Sequence, residues 1–424
     1  MKRIISLVLC IALLAAALTG CTGGMKAQDL TEQPQQVQAE NAIQLDMVPC
    51  ADFTPASDFG MQLFAETLKT GDENPVISPV SAYLCLAMVM LGTENETLQE
   101  FESVLGGDTA AVASLAHDLS EKLMDTKGDT ILNIANSLWA DDDKVIVQPS
   151  FVQGVMDYFD GEIYQADLPS KEALDDINAW VNDKTEGLIP KLHDQPYPES
   201  TALILLNTLY MKTKWQRTFE GYATRDKTFT KADGAQLTAP FMQMYEENQQ
   251  YIGTDDAEGI LLPYDDGKTA FVALRPTNGT AIRDFAASLT AAGLAGYVEG
   301  AEEKLVNFSM PKFNLAYELF LTDILKAMGL ERAFVSGAAQ LEPMGTGAEG
   351  PLFLDWVFQK VKIEVNEEGT EAAAVTEAVA AEGDAMPVEE PIELHLDSPF
   401  VYGIIDLETG APLFIGLLED PTAE

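Results

Sequence analysis

Histidine is almost missing from this chain of 424 residues, standing only at positions 117, 193 and 395. Cysteine occurs at four positions, and no GxSxG, HExxH or CxxC motif is present. A His-based triad or a zinc centre therefore has little material to draw on, and no cofactor or metal is expected. Cations are scarce too, since 25 Lys and Arg against 68 Asp and Glu leave a formal charge of −43. A surface this acidic repels phosphates and sulfates, which excludes a basic-patch binder of DNA, RNA or heparin. The chain also lacks internal repeats and any Pro/Ser-rich linker after the first fifty residues. What it has in quantity is apolar side chain, 47% of all residues, enough to build a large core despite the charge.

The amino end reads as an address. Met1-Lys2-Arg3 is positive, Ile4 to Leu18 is almost wholly apolar, and Leu18-Thr19-Gly20-Cys21 closes the run with small residues before a cysteine. That length is short for a membrane span and suits a secretory signal. The ending resembles the bacterial lipobox, which makes residues 1–20 a lipoprotein signal peptide and Cys21 a lipidated first residue on the outer face of a bacterial membrane. Residues 21–51, polar and without periodicity around Gln33-Pro34-Gln35-Gln36, read as a flexible tether. Once the signal and its Cys10 are gone, Cys50 and Cys85 are the one pair able to form an internal disulfide in an oxidising exterior. Cys85 lies in an apolar helix-like segment, which favours two free thiols instead.

From residue 52 onward the chain alternates between the two periodicities without a break, which implies one mixed α/β unit. Phe59 to Lys69, Ser81 to Leu91, Lys171 to Lys184 and Tyr317 to Met328 are spaced as helices, with Ser78-Pro79 a start signal for the second. Strand-like runs rich in β-branched and aromatic residues are Ile131–Ala140, Thr201–Met211, Thr269–Leu274, Leu305–Met310, Phe353–Val365, Val401–Asp406 and Leu413–Leu417. Gly345-x-Gly347-x-x-Gly350 has the spacing of a dinucleotide fingerprint but not its strand-before, helix-after setting, so it reads as a loop. Asp141-Asp142-Asp143 and Asp265-Asp266-Gly267 lack the alternating oxygen ligands of a calcium loop and read as solvated turns.

One segment fits neither pattern cleanly. After Asn366-Glu367-Glu368-Gly369, residues 370–381 are rich in Ala and Glu, a composition that suits a helix or a linker. Alternate positions tell a different story: Thr370, Ala372, Ala374, Thr376, Ala378 and Ala380 are all small, and in a strand they would share one face. Such a face could enter a crowded interior without steric cost.

The run Glu367-Glu368-Gly369-Thr370-Glu371-Ala372-Ala373-Ala374-Val375-Thr376 resembles the hinge of the serpins, inhibitors whose reactive loop inserts into a β-sheet. The resemblance extends in order through Asn74-x-x-x-Ser78-Pro79-Val80-Ser81, Asn136-Ser137-Leu138-Trp139, Ile177-Asn178-x-Trp180, Leu206-Asn207-Thr208-Leu209-Tyr210 with Lys214-Trp215, Met310-Pro311-Lys312-Phe313, Ser398-Pro399-Phe400 and Leu413-Phe414-Ile415-Gly416. It implies a mixed α/β (α+β) fold of three β-sheets with about eight or nine helices around them, a single domain over 52–421 and an exposed reactive-centre loop over 370–398. It also implies an irreversible suicide inhibitor of extracellular serine proteases, with no enzymatic turnover of its own, acting as a monomer through loop insertion. By the same resemblance Glu367, Gly369, Thr370, Ala372, Ala373, Ala374 and Thr376 form the hinge. Lys312 and Glu367 resemble an ion pair at the top of the opening sheet near Trp215, and Asn74, Ser78, Ser81 and Asn207 the polar cluster where its central strands part. Gln359 stands where the family usually has histidine, and its amide can still donate and accept.

Counting along the family pattern from Gly369 puts the scissile bond at Gly383-Asp384, with Glu382, Ala385 and Met386 as alternatives. The inserting arm, Thr370 to Gly383, is then 14 residues, or about 46 Å as a strand. Small residues near the bond suit an elastase or a subtilisin, and Met386 an elastase or a chymotrypsin-like enzyme. No Lys or Arg occurs between Thr370 and Pro399, which excludes a trypsin-like target. A papain-like cysteine protease is a further partner for such a loop. The alternative reading is a non-inhibitory binding or carrier protein on the same fold at the cell surface.

Overall fold

The computed structural model describes residues 25–32, 34–38, 41–348, 350–370 and 390–423. Seven strands form one of its sheets: Gln28–Asp29 (β1), Ile131–Asp141 (β2), Glu162–Ala166 (β3), Leu203–Lys214 (β4), Phe313–Phe320 (β5), Trp356–Val365 (β6) and Gly369–Thr370 (β7). Their order across the sheet is β1-β3-β2-β4-β7-β6-β5. A nine-stranded sheet includes antiparallel pairs such as Gln236–Gly253 against Glu302–Pro311 and the hairpin Phe400–Asp406 against Pro412–Leu418. The third sheet is the pairing of Gly345–Gly347 with Val145–Val147, so the glycine-rich stretch expected as a loop is a short edge strand. Nine α-helices surround the sheets among the described residues, as the mixed α/β reading requires.

Two helices flank the centre of the seven-stranded sheet. Pro79–Met90 (α1) is buried along its whole length, with Pro79 in the first turn, where a missing N–H costs nothing. Lys171–Lys184 (α2) is amphipathic and capped by Ser170, whose hydroxyl accepts from the Ala173 N–H at 3.0 Å. Its apolar stripe, Ala173, Ile177, Trp180 and Val181, packs with Ile204 and Leu206 of β4 and Phe358 of β6 in a second core separate from the main one.

Three expectations need correction. Tyr317–Phe320 belongs to β5, and the helix begins only at Thr322, because Phe313, Leu315 and Leu319 alternate with exposed residues and so carry a strand period. Asp141 and Asp266 are buried instead of solvated. Each turns its carboxylate back on the chain, Asp141 accepting from the N–H groups of Asp143 and Lys144 and Asp266 from those of Lys268 and Thr269. The described part of the expected tether lies against the domain. Gln28 and Asp29 add an edge strand to β3, the Asp176 carboxylate accepts from the N–H groups of Lys26 and Ala27 at 2.7 Å, and Leu30, Ile43 and Leu45 pack on the main core. Scattered apolar residues of this kind carry no period, so composition alone does not expose the docking. Cys50 and Cys85 are both free.

Candidate functional site: the hinge and the gate of the seven-stranded sheet

β4 and β6 run parallel and pair directly only at their lower ends, Ile204–Asn207 against Trp356–Gln359. At the upper end they are held apart by β7, which is antiparallel to both: Thr370 faces Thr213 on one side and Val365 on the other, and Gly369 faces Lys214. Between these two regions no rungs join Thr208–Lys212 to Lys360–Glu364 among the described residues. Gly369 and Thr370, two of the expected hinge residues, thus occupy the upper end of the slot between β4 and β6.

A dense set of bonds holds that entry. Asn366 donates its N–H to the Gly369 carbonyl at 3.1 Å, closing a tight turn. The carbonyls of Glu367 and Glu368 accept from the N–H groups of Phe219 (2.8 Å) and Trp215 (2.9 Å), and the Trp215 indole N–H donates to the Asn366 carbonyl at 2.8 Å. Trp215 stacks on Tyr264, with centroids 4.7 Å apart and 8° between planes, and the Tyr264 hydroxyl meets the Thr370 hydroxyl at 2.6 Å. Gly369 passes so close to β4 that a Cβ would sit 2.1 Å from the Thr213 carbonyl oxygen, which is why this position needs glycine. Thr370 is 2% exposed.

Lys312 and Glu367 form the expected ion pair at 2.8 Å, and Thr224 donates to the other carboxylate oxygen at 2.7 Å. Burial pushes the Glu367 carboxyl up, but the hydrogen bonds from Lys312 and Thr224 outweigh it, so it lies below the ordinary glutamate range.

Lower down, Gln359 of β6 is the hub that joins the two lips of the slot to α1. Its carbonyl accepts from the Ser78 N–H, while its NH2 donates to the Ser78 carbonyl and to Asn207 Oδ1, at 2.9, 2.9 and 3.0 Å. Asn207 Nδ2 in turn donates to the Ser81 carbonyl (2.8 Å) and to Asn136 Oδ1 (2.6 Å). Glutamine therefore supplies the bridge expected of histidine. Two details differ from expectation. Ser78 and Ser81 take part through their backbones, their hydroxyls being buried without a partner among the described residues. Asn74 is elsewhere, at a positive φ of 53°, binding the carboxyl-terminal segment through the N–H groups of Glu419 and Asp420 and the Asp420 carbonyl. Asn136, which the sequence shows only as part of a motif, takes its place in the cluster because it lies directly opposite Asn207 in the β2–β4 register.

The remaining expected site residues, Ala372, Ala373, Ala374, Thr376, the bond at Gly383-Asp384 with its alternatives, and Cys21, lie outside the described residues. One further cluster, His117, Asp118 and Glu121, brings its ligand atoms within 4.8 Å of one another, and Asp118 already accepts the Cys50 N–H.

Comparison with known proteins agrees with this architecture. The family profile described as Serpin (serine protease inhibitor) matches residues 54–421. A putative serpin-Z5 of Oryza sativa subsp. japonica is 30% identical over 384 residues, covering 83% of this chain and 86% of the relative. The native state of tengpin, a thermophilic serpin, superposes with a TM-score of 0.83 at 29% identity, covering 93% of this chain and 99% of tengpin. Thyroxine-binding globulin in complex with thyroxine shares the fold at 22% identity and a TM-score of 0.77, over 88% of this chain and 99% of the globulin. The chain belongs to the serpin family, whose members are typically protease inhibitors and in some cases carriers.

Proposed function

We propose that this protein is an irreversible suicide inhibitor of extracellular serine proteases of elastase, subtilisin or chymotrypsin type, held at the outer face of a bacterial membrane by a lipid on Cys21. The observation that carries the reading is the strand Gly369–Thr370 between β4 and β6, above a stretch where no rungs join those strands among the described residues. A protease takes the loop as substrate and its nucleophile attacks the scissile carbonyl near Gly383-Asp384, expelling the Asp384 amine and leaving an acyl-enzyme. Ala372, Ala373, Ala374 and Thr376 then follow Thr370 down the slot as a new strand. The attached protease is dragged along and distorted before water can release it. The lack of Lys and Arg from 371 to 398 argues against a trypsin-like partner. A papain-like cysteine protease would acylate by the same route. No nucleic acid or heparin partner is proposed, and the inhibitor works as a monomer.

The test is incubation of the full chain with pancreatic elastase and with subtilisin, followed by denaturing electrophoresis and mass spectrometry. A denaturation-resistant complex and the released carboxyl-terminal fragment would establish inhibition and locate the cut. Clean cleavage without complex across protease classes would favour the carrier reading. A Thr370→Arg variant should be cut but not trap, because a buried cation beside Tyr264 has no partner there; trapping as efficient as the parent's would refute this role for the hinge.

A further inference from the structure

The slot is not open along its face. α2 lies over β2 and β4, and the chain from 185 to 202 continues across to β6, so the two lips are bridged from outside by one strap. On the β6 side three side chains fasten it. Lys360 donates to the Lys191 carbonyl at 3.0 Å and Lys362 to the Leu188 carbonyl at 3.5 Å. The third fastener is His193, whose ring lies 4.8 Å from Phe358 of β6, 6.2 Å from and nearly parallel (9°) to Phe320 of β5, and 5.5 Å edge-on from Tyr197. Asn178 of α2 fixes the histidine's backbone, its amide accepting from the His193 N–H and donating to the His193 carbonyl. A strand entering between β4 and β6 along their whole length must loosen the core that joins Ile204 and Leu206 to Phe358 beneath this strap.

We propose that His193 is a proton-sensitive fastener of this strap, holding it on the sheet when neutral and releasing it when protonated, so that acidification speeds loop insertion. This inference rests on the insertion reading of the protein's function. The rings of Phe358, Phe320 and Tyr197 around the half-buried imidazole displace part of the water that would solvate its charged form, and so favour the neutral ring. Burial is the main effect and pushes the imidazole down; Glu318 and Asp194 pull it up, and Lys360 pushes it down again. Of the other groups near the ring, Lys191 pairs with Asp194, Lys360 pairs with Glu318, and burial keeps the Tyr197 phenol protonated. The sign comes from linkage. A histidine whose docked pKa is depressed takes up its proton on undocking, so docking is complete above the ordinary value near 6.5 and weakens as pH falls below it. Between the ordinary and the depressed values, each pH unit raises the undocked population by up to about tenfold.

The experiment uses the full chain and a synthetic peptide with the sequence of residues 371–383, which needs no protease and so avoids the protease's own pH dependence. Peptide insertion is followed as the rise in thermal midpoint with incubation time at pH 7.5 and pH 5.5, with hydrogen exchange of residues 185–202 measured in parallel. Insertion several-fold faster at pH 5.5 in the parent, with enhanced exchange in 185–202, and a flat profile in His193→Phe, which keeps an aromatic ring at that position, is the expected result. An equal acid acceleration in parent and H193F overturns the proposal, as does a flat profile in both. A denaturation-resistant elastase complex at pH 7.5 beside a flat insertion profile would retain the inhibitor and reject the switch. Absence of both complex and insertion would reject the inhibitor reading and this inference with it.

Discussion

Gln359 shows how one side chain can substitute for another of different chemistry when geometry is kept. Its amide supplies one acceptor and two donors, all used, to the Ser78 backbone and to Asn207. Replacing it by leucine strands the buried Ser78 N–H and Asn207 Oδ1, while the Ser78 carbonyl keeps the Ala82 N–H, and should lower stability by about 1–3 kcal/mol, read as a shift in the urea midpoint. At the mouth of the slot Glu367 sets a second pH window, distinct from that of His193. Its carboxyl is depressed in the folded state, so its contribution is present above the ordinary value near 4.5 and is lost as pH falls further. The gap in thermal midpoint between parent and Glu367→Gln should accordingly be full at pH 7 and close as pH falls below 4.5; a gap that persists at pH 3 would contradict the assigned clasp. The Lys312–Glu367 pair is legible in the sequence through its motif. The docking of Thr224 on the same carboxylate is not, since those two residues are distant in the chain and share no pattern.

β7 is only two residues long, yet its position decides how the upper ends of β4 and β6 are held. A β-carbon at Gly369 would collide with the Thr213 carbonyl and the Lys214 backbone, so Gly369→Val should expel the hinge from the slot. The expected signs are altered Trp215 fluorescence, because that indole stacks on Tyr264 and bonds to the turn, and faster proteolysis just after Glu368; unchanged fluorescence would mean that the hinge stays seated. Strand character in 370–381 is visible in the alternation of small residues, but composition equally suits a helix. What places Gly369–Thr370 in the sheet is the space between β4 and β6, a property of neither segment alone. The amino-terminal stretch makes a similar case, since Gln28–Asp29 becomes a strand only because β3 offers an unpaired edge.

For the molecule as a whole, the insertion reading makes the span of β4 and β6 that has no rungs among the described residues a store of free energy. Clean cleavage within 371–389 should allow full insertion and raise the thermal midpoint by about 10 °C or more, as a gain of several kcal/mol would. An unchanged midpoint after such a cut would count against insertion. The formal charge of −43 also lowers the stability of the intact fold, through self-repulsion across the surface. Raising salt from about 0.05 to 0.5 M shortens the Debye length severalfold and should raise the midpoint of the intact protein modestly; a fall would indicate that attractive pairs outweigh the repulsion.

Several features are determined by local sequence because their causes are local. α2 appears at its expected bounds because cap, period and charged ends coincide in one segment, and the hinge glycine and the small residues after it are written plainly in order. The family resemblance of the ordered motifs carries the fold from there. Three things only the tertiary structure decided: that Thr370 is already buried between β4 and β6, that Asn136 and not Asn74 completes the polar cluster, and that the segment around His193 straps the slot to β6. Each depends on groups that lie tens to hundreds of residues apart and meet only when the sheet is assembled, and a pairing of that kind leaves no period, cap or spacing in the chain by which to find it.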